Sequence, residues 1–122
     1  MAKKRFKRIF ELRRPMKNIT VKVRVMEKRG DNEVFSKITG KFHRFTEYIV
    51  GDDTGLIPLV LWEDNENEIR VGLTYRLVGV DVKIFNDAPR IIVKRDTIIE
   101  ESESIDESMI NIGISSSEKK KR

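Results

Sequence analysis

Three aromatic side chains at strand-like positions, Trp62, Phe85 and Phe45, are the residues of this 122-residue chain best suited to gripping a flat ligand. Trp62 is the single tryptophan and ends the apolar run LIPLVLW. Strand alternation puts Ile57, Leu59 and Leu61 on one side of that run and Pro58, Val60 and Trp62 on the other. With two apolar sides, one must be covered or used. A ring left on the open side is a platform on which any base stacks, contributing about 1–3 kcal/mol per base. The alternative is an indole that seals one end of the core. Phe85 shares its parity with Lys83, and Phe45 stands beside Arg44, an aromatic-plus-cation pairing suited to nucleic acid. Phe42 and Tyr48 share a parity that Phe45 lacks, and Tyr48 reads as core.

Lys22, Arg24, Arg44, Lys83, Arg90 and Lys94 fall on the non-core parity or near turns, where they can track phosphates or simply form a solvated face. The acids Glu63, Asp64, Glu66 and Glu68 would repel a phosphodiester and are expected to mark the non-binding side. The net charge of +5 is unevenly placed. Residues 1–17 carry eight Lys/Arg against one acid, with Lys3, Lys4, Arg5, Lys7, Arg8, Arg13 and Arg14 as candidate phosphate contacts. Residues 18–96 balance at 13 of each sign, and residues 97–122 carry four basic and six acidic residues. A basic arm seeks polyanions because each neutralised phosphate releases counterions, so affinity should fall with salt at a slope near 0.7 per phosphate of a single strand.

Other chemistries are poorly supported. There is no cysteine, which removes disulfides, thiolate catalysis and thiolate zinc sites. His43 is the only histidine and has no nucleophile or metal partner at a useful spacing. Asp52 and Asp53 in GDDTG lack the ligand count of a calcium loop and are explained by a turn. No glycine-rich phosphate loop is present. The expectation is a non-enzymatic protein without cofactor or metal. No apolar run approaches the ~18 residues of a membrane span, and the basic N-terminus lacks the apolar region of a secretory signal, so a soluble, cytoplasmic protein with no membrane partner is expected.

The elements that position these residues are β-strands. NITVKVRVMEK alternates strictly, with Ile19, Val21, Val23 and Val25 on one side. Gly30-Asp31-Asn32 has turn chemistry, followed by a short excursion to Gly40. FHRFTEYIV and LIPLVLW form a second and third strand about the GDDTG turn, and Pro58 suggests an edge or bulge. EDNENEIRVG is too polar for a strand and predicts one helical turn capped by Asp64 or Asn65 and ended by Gly72. TYRLVGVDVKIF predicts a fourth strand with Val78, Val80, Val82 and Ile84 inward, and RIIVKRDTII a fifth. The basic segment before Pro15 is compatible with one or two helical turns or with an extended arm. Five strands in so small a domain escape exposed edges most simply by closing into a barrel. The expected class is therefore all-β: a five-stranded barrel over residues 18–99 with a short helix between strands three and four. A basic N-terminal arm covers 1–17 and a Ser/Glu-rich C-terminal tail covers 100–122.

TEYIVGDDTGLIPLVLWED resembles the second and third strands of the replication protein A-type OB-fold, and in particular the short crenarchaeal single-stranded DNA-binding proteins. VGLTYRLVGVDVKIFNDAPRIIV is similar to the second half of the same domain. The resemblance implies an archaeal OB-fold protein that binds single-stranded DNA, with Trp62 and Phe85 at stacking positions and Phe45 beside the bound strand. The chain departs from the family near Asp81, where a second tryptophan is usual, and it lacks the Gly/Arg-rich C-terminal tail. The implied role is binding of single-stranded DNA or RNA in DNA replication or repair. Two alternatives share the fold: an RNA- or ribosome-associated protein using the basic arm, and an interaction subunit of a replication or repair assembly using the apolar positions Ile105 to Ile114.

Overall fold

In the computed structural model, residues 6–65 and 67–112 are described. Six strands are present among them: β1 (Met16–Ser36), β2 (Lys41–Asp52), β3 (Gly55–Trp62), β4 (Thr74–Phe85), β5 (Ala88–Val93) and β6 (Ile98–Glu101). β1 pairs antiparallel with both β2 and β4, β2 with β3, and β4 with β5, while β3 and β5 run parallel. The ladder thus closes on itself as β1-β2-β3-β5-β4-β1, and β6 is added along β4. Closure leaves the five-membered ring no open edge and creates one interior, filled by Val21, Val23, Val25, Val50, Leu59, Leu77, Val80, Val82, Ile91 and Val93.

β1 serves two partners because it bends. Its register slips between Val25 and Glu27 and again between Lys28 and Gly30, and Gly30 takes φ 141° at the second slip. The expected turn at Gly30-Asp31-Asn32 is therefore a bulge within one long strand, and the chain reverses only at Lys37–Gly40. Glycine at the bulge lets the strand kink while its ladder to β2 continues.

β4 shows the same device. Tyr75 and Leu77 point inward, then Gly79 at φ 88° shifts the parity so that Val80 and Val82 do. The expected inward set is corrected accordingly: Val78 is only part-buried and Ile84 is exposed.

Two further expectations differ. Between β3 and β4 there is no helix among the described residues, only turns at Glu63–Asp64 and Val71–Gly72. Asn65 caps nothing helical. Its amide instead donates to the carbonyls of Lys94 and Thr97 at 2.8 and 3.2 Å, and its Oδ1 accepts from the Asn67 N–H at 2.9 Å. A stretch with one buried apolar residue, Ile69, has little to gain from helical repetition and is pinned by side-chain bonds instead. The expected fifth strand is broken in two by the buried Thr97, whose hydroxyl donates to the Gly79 carbonyl at 2.8 Å and accepts from the Lys94 N–H at 2.8 Å.

The described segments before β1 and after β6 pack on the ring. Ile9 and Leu12 are buried around a short 3-10 turn, Ile9–Glu11, and Ile110 is buried at the far end of the chain. Both segments converge on the β2–β3 turn. Asp52 accepts the Ile9 N–H at 2.9 Å, Thr54 Oγ1 accepts the Phe10 N–H at 3.0 Å, and Arg8 forks onto Asp53. From the other side, the Asn111 N–H donates to the Asp52 carbonyl at 3.0 Å.

Candidate nucleic-acid interface

Register decides which side chains share a face, because directly opposed residues point the same way. Phe45 opposes Trp62, Glu47 opposes Val60 and Ile49 opposes Pro58 across β2 and β3. Val60 continues to Ile92 on β5 and then to Asp81 on β4; Arg90 opposes Lys83, and Ala88 opposes Phe85. One outer surface across β2-β3-β5-β4 therefore carries all three predicted aromatics.

The indole lies outside the core. Trp62 is half-buried and packs against Phe45 with ring centroids 5.0 Å apart and planes inclined at 57°. The pair borders an open groove of about 570 Å³ that Asp31, Glu33, Arg44 and Glu63 also line. Three carboxylates against one guanidinium leave this end acidic. Glu63 thus lies at the platform rather than on the opposite side as expected: its N–H bonds the Arg44 carbonyl at 2.9 Å, which folds it back onto β2, whereas Asp64 and Glu68 do not line the groove and Glu66 lies outside the described residues.

Phe85 lies at the other end of the surface. Counting the register from Trp62 to the level of Ala88 gives about six residues, or about 20 Å. Its ring is 55% exposed and carries the Arg90 guanidinium 4.6 Å from its centroid. Arg90 also pairs with Glu47 across β3 at 3.9 Å, each side chain being 24% exposed. Between the two aromatic ends, Val60 and Ile92 are buried although they sit on outward positions, which gives the surface an apolar floor.

The predicted cations are distributed unevenly. Lys83 and Arg90 belong to the surface, Arg44 lines the groove, and Lys94 stands beside Asp81. Burial alone would raise the Asp81 carboxyl, but hydrogen bonds from Lys94 and the Asn18 N–H, with the charges of Lys94 and Lys17, hold it below the usual range. Lys22 and Arg24 lie elsewhere, on the β1–β4 seam, facing Glu103 at 3.8 Å and Glu107 at 3.9 Å. In the arm, Arg8 is taken by Asp53, Lys7 lies 3.9 Å from Glu11, Arg13 bonds the Phe10 carbonyl at 2.9 Å, and Arg14 is exposed. Lys3, Lys4 and Arg5 lie outside the described residues.

Sequence reasoning missed the acids that hold these cations and a second aromatic pair, Phe35 with Phe42, edge-to-face at 5.1 Å near the exposed tip of the β1–β2 hairpin. The cue for the pair was Phe-x-x-x-x-x-x-Phe spanning the Lys37–Gly40 reversal.

A family model for "Single-stranded DNA binding protein Ssb-like, OB fold" matches residues 12–101. The chain belongs to this OB-fold family. Solved OB domains share the fold. The OB domain of MM0293 from Methanosarcina mazei is 23% identical with a TM-score of 0.69, covering 85% of this chain and 90% of that one. The replication Factor A Related Protein from Methanobacterium thermoautotrophicum is 20% identical with a TM-score of 0.67, covering 84% and 96%. The second OB-fold domain of replication protein A from Methanococcus maripaludis is 24% identical with a TM-score of 0.56, covering 72% and 86%. No curated protein matches the chain. No helix among the described residues is long and apolar enough to cross a membrane.

Proposed function

We propose that this OB domain binds single-stranded nucleic acid by stacking unpaired bases on the Phe45–Trp62 pair, with Phe85 as a second platform further along the same surface. The observation that carries this reading is the half-buried indole, packed on Phe45 at the border of an open groove rather than enclosed in the core. The two rings already pack on each other without a ligand, which lowers the ordering cost of stacking. The acidic lining favours entry of the base rather than the phosphate, and the strand's backbone would run on the Lys83 side. DNA is the preferred ligand on the strength of the family, in a cytoplasmic replication or repair setting.

The two alternatives are less well supported. An RNA-threading arm would stand away from the domain, yet Arg8 pairs with Asp53, and Ile9 and Leu12 are buried on the ring. A C-terminal segment reserved for a partner would leave its apolar positions open; Met109 and Ile112 are exposed, but Ile110 is packed against Gly51. Anisotropy of labelled dT and rU oligomers, with structured RNA as competitor, tests the choice. Saturable binding of dT that structured RNA fails to displace supports the proposal. Displacement by structured RNA at lower concentration than by unlabelled dT overturns the DNA assignment.

A further inference from the structure

Three cations on the aromatic surface or in its adjoining groove face acids. Arg44 lies 3.5 Å from Glu33, Arg90 3.9 Å from Glu47 and Lys94 3.0 Å from Asp81. Lys83, by contrast, is exposed and makes no ion pair among the described residues. The Glu47 pair is the one that reaches the second aromatic platform. Glu47 opposes Val60, reaches across β3 to Arg90, and Arg90 lies over the Phe85 ring. A phosphate that recruits Arg90 must break that pair and leave Glu47 bare beside an incoming anion. The exchange neutralises no additional phosphate charge, so it releases no counterion on balance.

We propose that Glu33, Glu47 and Asp81 are specificity-determining residues that withdraw Arg44, Arg90 and Lys94 from phosphate contact. The surface then holds a strand by its unpaired bases and scarcely by its backbone. This rests on the stacking reading and revises the steep salt dependence that the sequence alone predicts. A duplex, whose bases are stacked on one another, offers this surface only phosphates and gains little from it.

The test is the slope of log K against log salt for a dT oligomer, followed through Trp62 fluorescence in the full chain. Lys83→Ala should lower the slope by about 0.7, one phosphate contact of a single strand. Arg90→Ala should leave it unchanged. Glu47→Gln should steepen it by about 0.7, and adding Arg90→Ala to Glu47→Gln should return it to the native value. The same cycle with Glu33→Gln and Arg44→Ala repeats the test on an independent pair. If Arg90→Ala alone lowers the slope as much as Lys83→Ala does, or if Glu47→Gln leaves it unchanged, the proposal fails while the stacking reading stands. If the native protein shows no fluorescence change with any oligomer at low salt, both fail.

Discussion

Two outward strips of this molecule are built from the same alternation and the same residue types, yet they differ in what covers them. On the β1–β4 seam, Lys22 opposes Arg76, and Arg24 lies two residues further along β1, opposite Thr74. These three cations face Glu103, Glu100 and Glu107, all from the C-terminal segment of the same chain. Arg24 also donates to the Ile105 carbonyl at 2.9 Å. On the β2-β3-β5-β4 surface, Arg90 and Lys83 occupy equivalent outward positions, but among the described residues neither pairs with an acid of the C-terminal segment, and aromatic rings stand at both ends. Strand parity tells which way a side chain leaves the strand. It does not tell whether solvent or another part of the chain is waiting there.

The largest expected effect separates the two strips directly. Trp62→Ala should weaken oligomer binding by about 1–3 kcal/mol, the value of one stacked base, as read by anisotropy of a labelled oligomer. Trp62 lies outside the core cluster, so the melting temperature should move less than the affinity.

Gly51→Ala is the converse. A Cβ there would meet Leu56 Cδ2 at 2.6 Å and Ile110 Cγ2 at 2.8 Å, so the side chains of Leu56 and Ile110 must give way. The expected cost is about 1–2 kcal/mol in chemical denaturation, with oligomer affinity unchanged. An equal loss of affinity would show that the terminus-covered region and the open surface are coupled.

Lys22→Ala and Arg24→Ala should leave the salt slope of binding where it is, since those cations are engaged by the tail. A fall of about 0.7 for either would move the phosphate path onto the seam.

The smallest effect concerns acid. The Asp81 carboxyl is lowered in the folded chain, so its contribution to stability is present above about pH 4 and is lost as pH falls through the lower, folded value. Asp81→Asn should flatten the stability profile in that window. An unaltered acid limb would show that its partners do not depend on its charge.

The alternation of Val21, Val23 and Val25 and the reversals at GDDTG and Asn86-Asp87 were legible because they depend on nearest neighbours alone. Asn86 and Asp87 take φ 51° and 65°, the left-handed turn geometry their side chains tolerate. The bulges at Gly30 and Gly79 were not legible. A glycine in a strand reads equally as a turn, and only the ladder on its other side decides. The β6 strand was hidden for a similar reason: IIVKRDTII has no glycine or proline to punctuate it, and the break depends on Thr97 finding the Gly79 carbonyl. The aromatic site was half legible. Trp62 and Phe45 stood out by type, but that they touch, that Phe85 stands apart from them, and that Glu47 holds Arg90 all depend on register between distant strands.

The central claim is that an open aromatic pair receives unpaired bases, and the lone tryptophan reports on it without ambiguity. Titrating the native protein with a dT oligomer while following Trp62 emission should give saturable quenching, with Phe45→Ala weakening it. Emission that stays constant while anisotropy of the same labelled oligomer rises would place the bound strand elsewhere on the molecule and contradict the account.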